Sequence, residues 1–205
     1  MAYMMVHLLV ADRWAAKHPE YRNCPEFYYG AIAPDAIHVR DGNDKSRKDE
    51  IHLHNWQSLH VQEVLNYWRA RQSPFDIGYG VHVLTDAQWV PRYTRLLPGL
   101  FEPDGKLNLD RYFVDNIVTD FKLLNETPRA AEMLELLERA ETPADHPLLT
   151  AYEISRWREL MVEAYRGECL RQGPARYIDV PYVRAFVENS IAQIDAVYKS
   201  SRGAD

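Results

Sequence analysis

The stretch SPFDIGYGVHVLTDAQW, residues 73–89, decides the fold reading. Ser73 can accept a first-turn N–H, and Pro74 suits the first helical position, where its missing donor is not needed. Asp76 places negative charge at the positive end of the helix. The apolar residues Val81, Val83, Leu84 and Trp89 do not follow the strict alternation of a strand. The pattern predicts a largely buried helix over 74–92, ended near Pro91. His82 and Asp86 lie four apart on it, so their side chains sit one above the other on one face. A buried carboxylate must be paired or coordinate something.

The same period extends outward. Residues 2–17 read as a first helix on which His7 falls in line with Tyr3, Val10 and Trp14. Residues 19–50 read as irregular, and a helix is expected over 55–71. Further helices are expected over 109–125 (capped by Asn108), 128–140, 148–167 and 180–201. That is about seven helices and no alternating strand, which predicts an all-α chain, an irregular or orthogonal bundle.

Composition sets bounds on function. The 205 residues are 46% hydrophobic and 26% charged, which suits one globular domain over 1–205 and excludes disorder or a coiled coil. A net charge of -6 argues against a nucleic-acid surface. Cys24 and Cys169 form no CxxC pair, which points to a reducing compartment. No apolar run reaches the roughly 18 residues of a membrane span. The opening MAYMMVHLLVADRW reads as a mature helix and not a signal peptide, so a cytoplasmic location is expected.

Seven of the eight histidines precede residue 83. A lone inward histidine is more often a satisfied core residue than a ligand, but here several segments offer such groups together. They are His7; Asp35 with His38 in YYGAIAPDAIHVR; His52 or His54 in DEIHLHNW; and His82 with Asp86. His52 and His54 share a face only if extended, so one of the two is expected to serve. His18 and His60 read as ordinary. Mixed His and Asp ligands suit zinc, with manganese or iron as alternatives. The aromatic residues Phe27, Tyr28, Tyr29 and Trp56 read as core before site wall.

The order of these pieces carries a resemblance. His7 on a helix, Gly30-Ala-Ile-Ala-Pro-Asp35, a charged loop, Lys48 four residues before His52, then Gly78, His82 and Asp86 at four-residue steps resemble the bacterial zinc-dependent phospholipase C family. The likeness is to its small intracellular hydrolase-like members and covers roughly residues 4–90. That family is all-helical and similar in fold to fungal zinc nucleases. The resemblance implies that Asp35, His52, His82 and Asp86 ligate one metal. It also implies that Asp86 bridges to a second metal held by His7, with His38 as a further ligand or a group that orients one. The family's third site, His…His-x-x-x-Glu, has no match after His82, so one or two divalent ions are expected, built mainly from residues 1–90.

The chemistry that the resemblance implies is hydrolysis of a phosphate ester, with a phosphodiester expected first, on a small phosphorylated or phospholipid-like substrate. A two-metal site can activate water and clamp a phosphoryl oxygen. Asp35 and Asp86 are the candidate catalytic carboxylates. Arg40 and Lys48, in a loop with Lys45 and Arg47, are the candidate phosphate-binding cations. The competing expectation is a metal-stabilised helical sensor or partner-binding protein without turnover. The C-terminal half is expected to complete the bundle, with Glu153, Arg156 and Arg158 on a solvated face.

Overall fold

Helix α5 (Pro74–Leu96) is buried on every side through its middle, with Tyr79, Val81, Val83, Leu84 and Trp89 fully enclosed. A helix that is apolar all round belongs inside a bundle. The others surround it in a computed structural model that describes residues 2–40, 44–54, 59–167 and 173–203. They are α1 (Met4–Ala15), α2 (Pro25–Gly30), α3 (Lys48–Ile51), α4 (Val61–Ala70), α6 (Leu109–Glu126), α7 (Ala130–Arg139), α8 (Ala151–Arg166) and α9 (Val180–Ser201). Three 3-10 segments, Pro19–Tyr21, Ala33–Val39 and Pro98–Leu100, join them among the described residues. Among the described residues there is no strand, only one isolated bridge between Phe101 and Leu107. The all-α class holds. Trp56, Cys169 and the first residues of the helix expected over 55–71 lie outside the described residues.

The caps act as their residue types require. Ser73 accepts the Asp76 N–H at 3.2 Å, and Asn108 accepts the Arg111 N–H at 2.8 Å. Two expectations are corrected. Pro91 does not end α5, which runs on to Leu96. A proline near a helix C-terminus costs one backbone bond. Here the tail beyond it is held by Tyr93, whose ring lies 5.0 Å from that of Tyr112. Nor is 19–50 wholly irregular: short helical pieces form at Pro19–Tyr21, Pro25–Gly30, Ala33–Val39 and Lys48–Ile51. Such pieces are too short to show a period, and burial stabilises them.

Helices α2 and α5 cross at Gly30 and Gly78. A Cβ on Gly30 would sit 2.0 Å from the Phe75 carbonyl oxygen, and one on Gly78 would sit 2.0 Å from that of Phe27. The missing side chains let the two backbones touch. This contact brings the turn after α2 against His82. The aromatic residues Phe27, Tyr28 and Tyr29 are fully buried core. Elsewhere α1 packs on α9 and α5, and α8 packs on the 3-10 turn Ala33–Val39. No helix among the described residues is long and apolar enough to cross a membrane.

Candidate metal centre

Three segments bring four side chains to one buried point. Asp35 comes from the 3-10 turn after α2, His52 from the end of α3, and His82 and Asp86 from α5. One ligand atom from each lies within 4.8 Å of all the others. His52 Nε2 is 3.7 Å from Asp35 Oδ1 and 3.6 Å from Asp86 Oδ2. His82 Nε2 is 3.9 Å and 3.8 Å from the same two oxygens. Bonds of about 2.0–2.1 Å to a tetrahedral zinc would set neighbouring ligand atoms roughly 3.4 Å apart. The four separations above are each longer than such an edge, by roughly 0.5 Å at most, so the four atoms form a slightly expanded set of ligand corners.

All four atoms are buried and have no hydrogen-bond partner. Orphaned polar atoms inside a core are costly, and a cluster of them facing one point needs a reason. The rings are also prepared from behind. The Nδ1 of His82 lies 2.8 Å from the Ala31 carbonyl, and that of His52 lies 3.0 Å from the Lys48 carbonyl. A carbonyl only accepts, so each Nδ1 carries the proton and each Nε2 keeps its lone pair. Burial lowers the His82 pKa to about 3, with His7 adding to the shift, so the ring is neutral at pH 7. Burial works to raise the Asp35 carboxyl, but the His52 contact and the neighbouring His82 and His7 imidazoles outweigh it and hold the carboxyl below its usual range. Asp86 is likewise held low against its own burial, with His7 and His82 among the causes. Two carboxylates and neutral imidazoles with free lone pairs fit a divalent cation.

His7 stands beside this set and not in it. Its ring stacks on His82 with centroids 3.6 Å apart, and its Nε2 is 3.5 Å from Asp86 Oδ1, the oxygen that faces away from His52 and His82. Both ring nitrogens of His7 are buried and unpartnered. Burial lowers its pKa, so it too presents a neutral ring. His38 is also outside the four-atom set, with Nε2 3.9 Å from Asp35 Oδ1. Burial first, then the charges of Lys45 and Lys48, lower its pKa to about 4. The choice between His52 and His54 falls to His52. Leu53 and His54 take positive φ values of 50° and 57°, which turn the chain, and His54 is exposed. His18 pairs with Asp195 at 2.8 Å, and His60 is exposed.

The cations divide. Arg40 bonds Glu153 at 2.5 Å and, with Arg47 and His146, lines a depression separate from the metal-side cavity. Its charge is neutralised there, so it is not the free phosphate ligand that the sequence suggests. Glu153 correspondingly leaves the solvated face, because it is buried in the capping box of α8. Lys48 keeps its place in the one-turn helix that presents His52.

Sequence reasoning missed the approach to the centre. A cavity of about 870 Å³ reaches Asp35 and His38 and is otherwise mainly apolar. Phe113, Ile117 and Phe121 of α6 form one wall, Trp157, Met161 and Tyr165 of α8 the other, and Ala2 to Met4 the floor. The signal is present in the sequence as two stripes at four-residue steps, 113/117/121 and 157/161/165, but a helical period does not separate a core face from an open one. Comparison with protein-family models, curated proteins and solved structures gives no match for this chain.

Proposed function

We propose that this chain is a metal-dependent hydrolase of phosphate esters, with phosphodiesters as its first substrate class and zinc as its first metal. The observation that supports the reading best is the set of four orphaned ligand atoms, one of which belongs to Asp35 in the lining of an apolar groove. The order of the ligand segments, which resembles the zinc-dependent phospholipase C family, supports it as well. A divalent ion held by Asp35, His52, His82 and Asp86 would supply Lewis acidity toward a phosphoryl oxygen and an activated water. The chain's own residues do the rest. Ala31 and Lys48 carbonyls orient the rings, and Asp86 presents its second oxygen to His7, where a second ion would sit. The charges of Lys45 and Lys48 reach the His38 side of the groove. The groove walls exclude water and would receive an apolar arm of the substrate, as in a phospholipid-like ester.

The test is a panel of phosphomonoesters and phosphodiesters with added Zn²⁺ or Mn²⁺, in which the diester alkyl chain is lengthened stepwise. Burying a methylene gains about 0.8 kcal/mol, close to fourfold in kcat/KM. A rise of that order per carbon until the groove fills is expected. Ile117→Glu should flatten the rise and leave short esters unaffected. A chain-length series without slope in the wild type would remove the groove from the account.

One observation favours the second reading, a metal-stabilised binding or sensor protein without turnover. Four protein ligands already complete a tetrahedral shell, the form of a structural zinc site, and three of them are fully buried. Metal-loaded protein that turns over no ester in the panel would decide for it.

A further inference from the structure

Asp120 of α6 is a buried carboxylate, 1% exposed, that the metal centre does not use. Its Oδ2 accepts the Met5 N–H at 3.0 Å and the Tyr165 phenol, while its Oδ1 has no hydrogen-bond partner. Helix α1 has no side-chain cap at Tyr3, so its first-turn donor is satisfied from another helix. The segment before that turn is held at the metal side, where the Ala2 N–H donates to Asp86 Oδ1 at 2.8 Å. Two residues beyond Met5, His7 places its Nε2 3.5 Å from the same oxygen. Residues 2–7 are therefore pinned at Asp120 and again at Asp86. Tyr165, the phenol on Asp120, is also a groove wall and stacks on Phe121 with centroids 5.2 Å apart.

We propose that Asp120 is a positioning residue for the metal centre. By capping α1 from α6 it fixes His7 and the Ala2 N–H against Asp86, and through Tyr165 it ties that arrangement to the groove wall. The proposal rests on the metal reading above. An Asn at this position keeps an acceptor for the Met5 N–H. It also resembles the protonated acid, since burial pushes the Asp120 carboxyl up to about 7.

The experiment reconstitutes metal-free protein with Co²⁺ and records its visible absorption spectrum and affinity, below the melting temperature of each variant. Groups that orient metal ligands typically change affinity 10–100-fold when lost. Asp120→Ala is expected to shift the spectrum and weaken Co²⁺ at least about 10-fold, and Asp120→Asn to restore the wild-type spectrum. A purely structural role would lower the melting temperature and leave the spectrum alone. If Asp120→Ala does not fold, Tyr165→Phe carries the test: a shifted spectrum supports the proposal and an unchanged one overturns it. Wild-type protein that takes up no Co²⁺ removes the metal centre and this proposal together. Wild-type protein that binds Co²⁺ with a spectrum indifferent to Asp120→Ala removes this proposal alone.

Discussion

Asp86→Asn protein is expected to purify with less than about a tenth of an ion per chain, against one or more for wild type, and to lose ester turnover. Asp86 is the ligand that both imidazoles face, at 3.6 and 3.8 Å from one oxygen, while its other oxygen faces His7. An amide cannot supply the charge that holds a divalent cation. The stability consequence has a distinctive sign. Without metal, wild-type protein carries two buried carboxylates whose facing oxygens have no partner, a costly arrangement. Metal present at a thousand times its Kd stabilises a fold by about 4 kcal/mol. For a chain of this size that is roughly 8–16 °C in Tm. Chelator should therefore lower the wild-type Tm by about that much. Asp86→Asn should melt at or above chelated wild type and respond to neither zinc nor chelator. Thermal melts with and without chelator, alongside elemental analysis, read both effects. A wild-type Tm indifferent to chelator, with Asp86→Asn melting well below it, would mean that Asp86 serves packing alone.

Gly78→Ala is expected to cost at least about 3 kcal/mol, at the upper end of overpacking effects. Glycine to alanine inside a helix ordinarily stabilises by about 1 kcal/mol, so the sign itself is diagnostic. The added Cβ would meet the Phe27 carbonyl at 2.0 Å and the Ala31 backbone nitrogen at 2.9 Å. Neither is the end of a flexible side chain, so the helices must separate. The Ala31 carbonyl that orients His82 lies at this crossing, so metal content should fall with stability. Chemical denaturation and metal analysis of the same preparation check both, and a stabilised, metal-replete variant would contradict the crossing.

Much of this was legible because it depends on local chemistry. The Ser73-Pro74 start of α5 and the four-residue step from His82 to Asp86 fix one helix and one shared face. The line from His7 to Trp14 likewise turns His7 inward. The rest depends on contacts distant in sequence. Whether His52 or His54 points inward is settled by the left-handed turn at Leu53 and His54, which no period announces. Arg40 looks free until Glu153, 113 residues away, takes it. The stripes of α6 and α8 look like core because periodicity reports which face is apolar and not whether a partner covers it. The run of α5 past Pro91 follows from aromatic packing around Tyr93, again a tertiary effect.

The central claim is that Asp35, His52, His82 and Asp86 bind one ion together. Its most direct test is anomalous diffraction at the zinc edge from crystals of protein supplied with stoichiometric zinc. A peak is expected about 2.0–2.2 Å from Asp35, His52 Nε2, His82 Nε2 and Asp86. An absent peak, or a zinc ion bound only elsewhere on the chain, would contradict it.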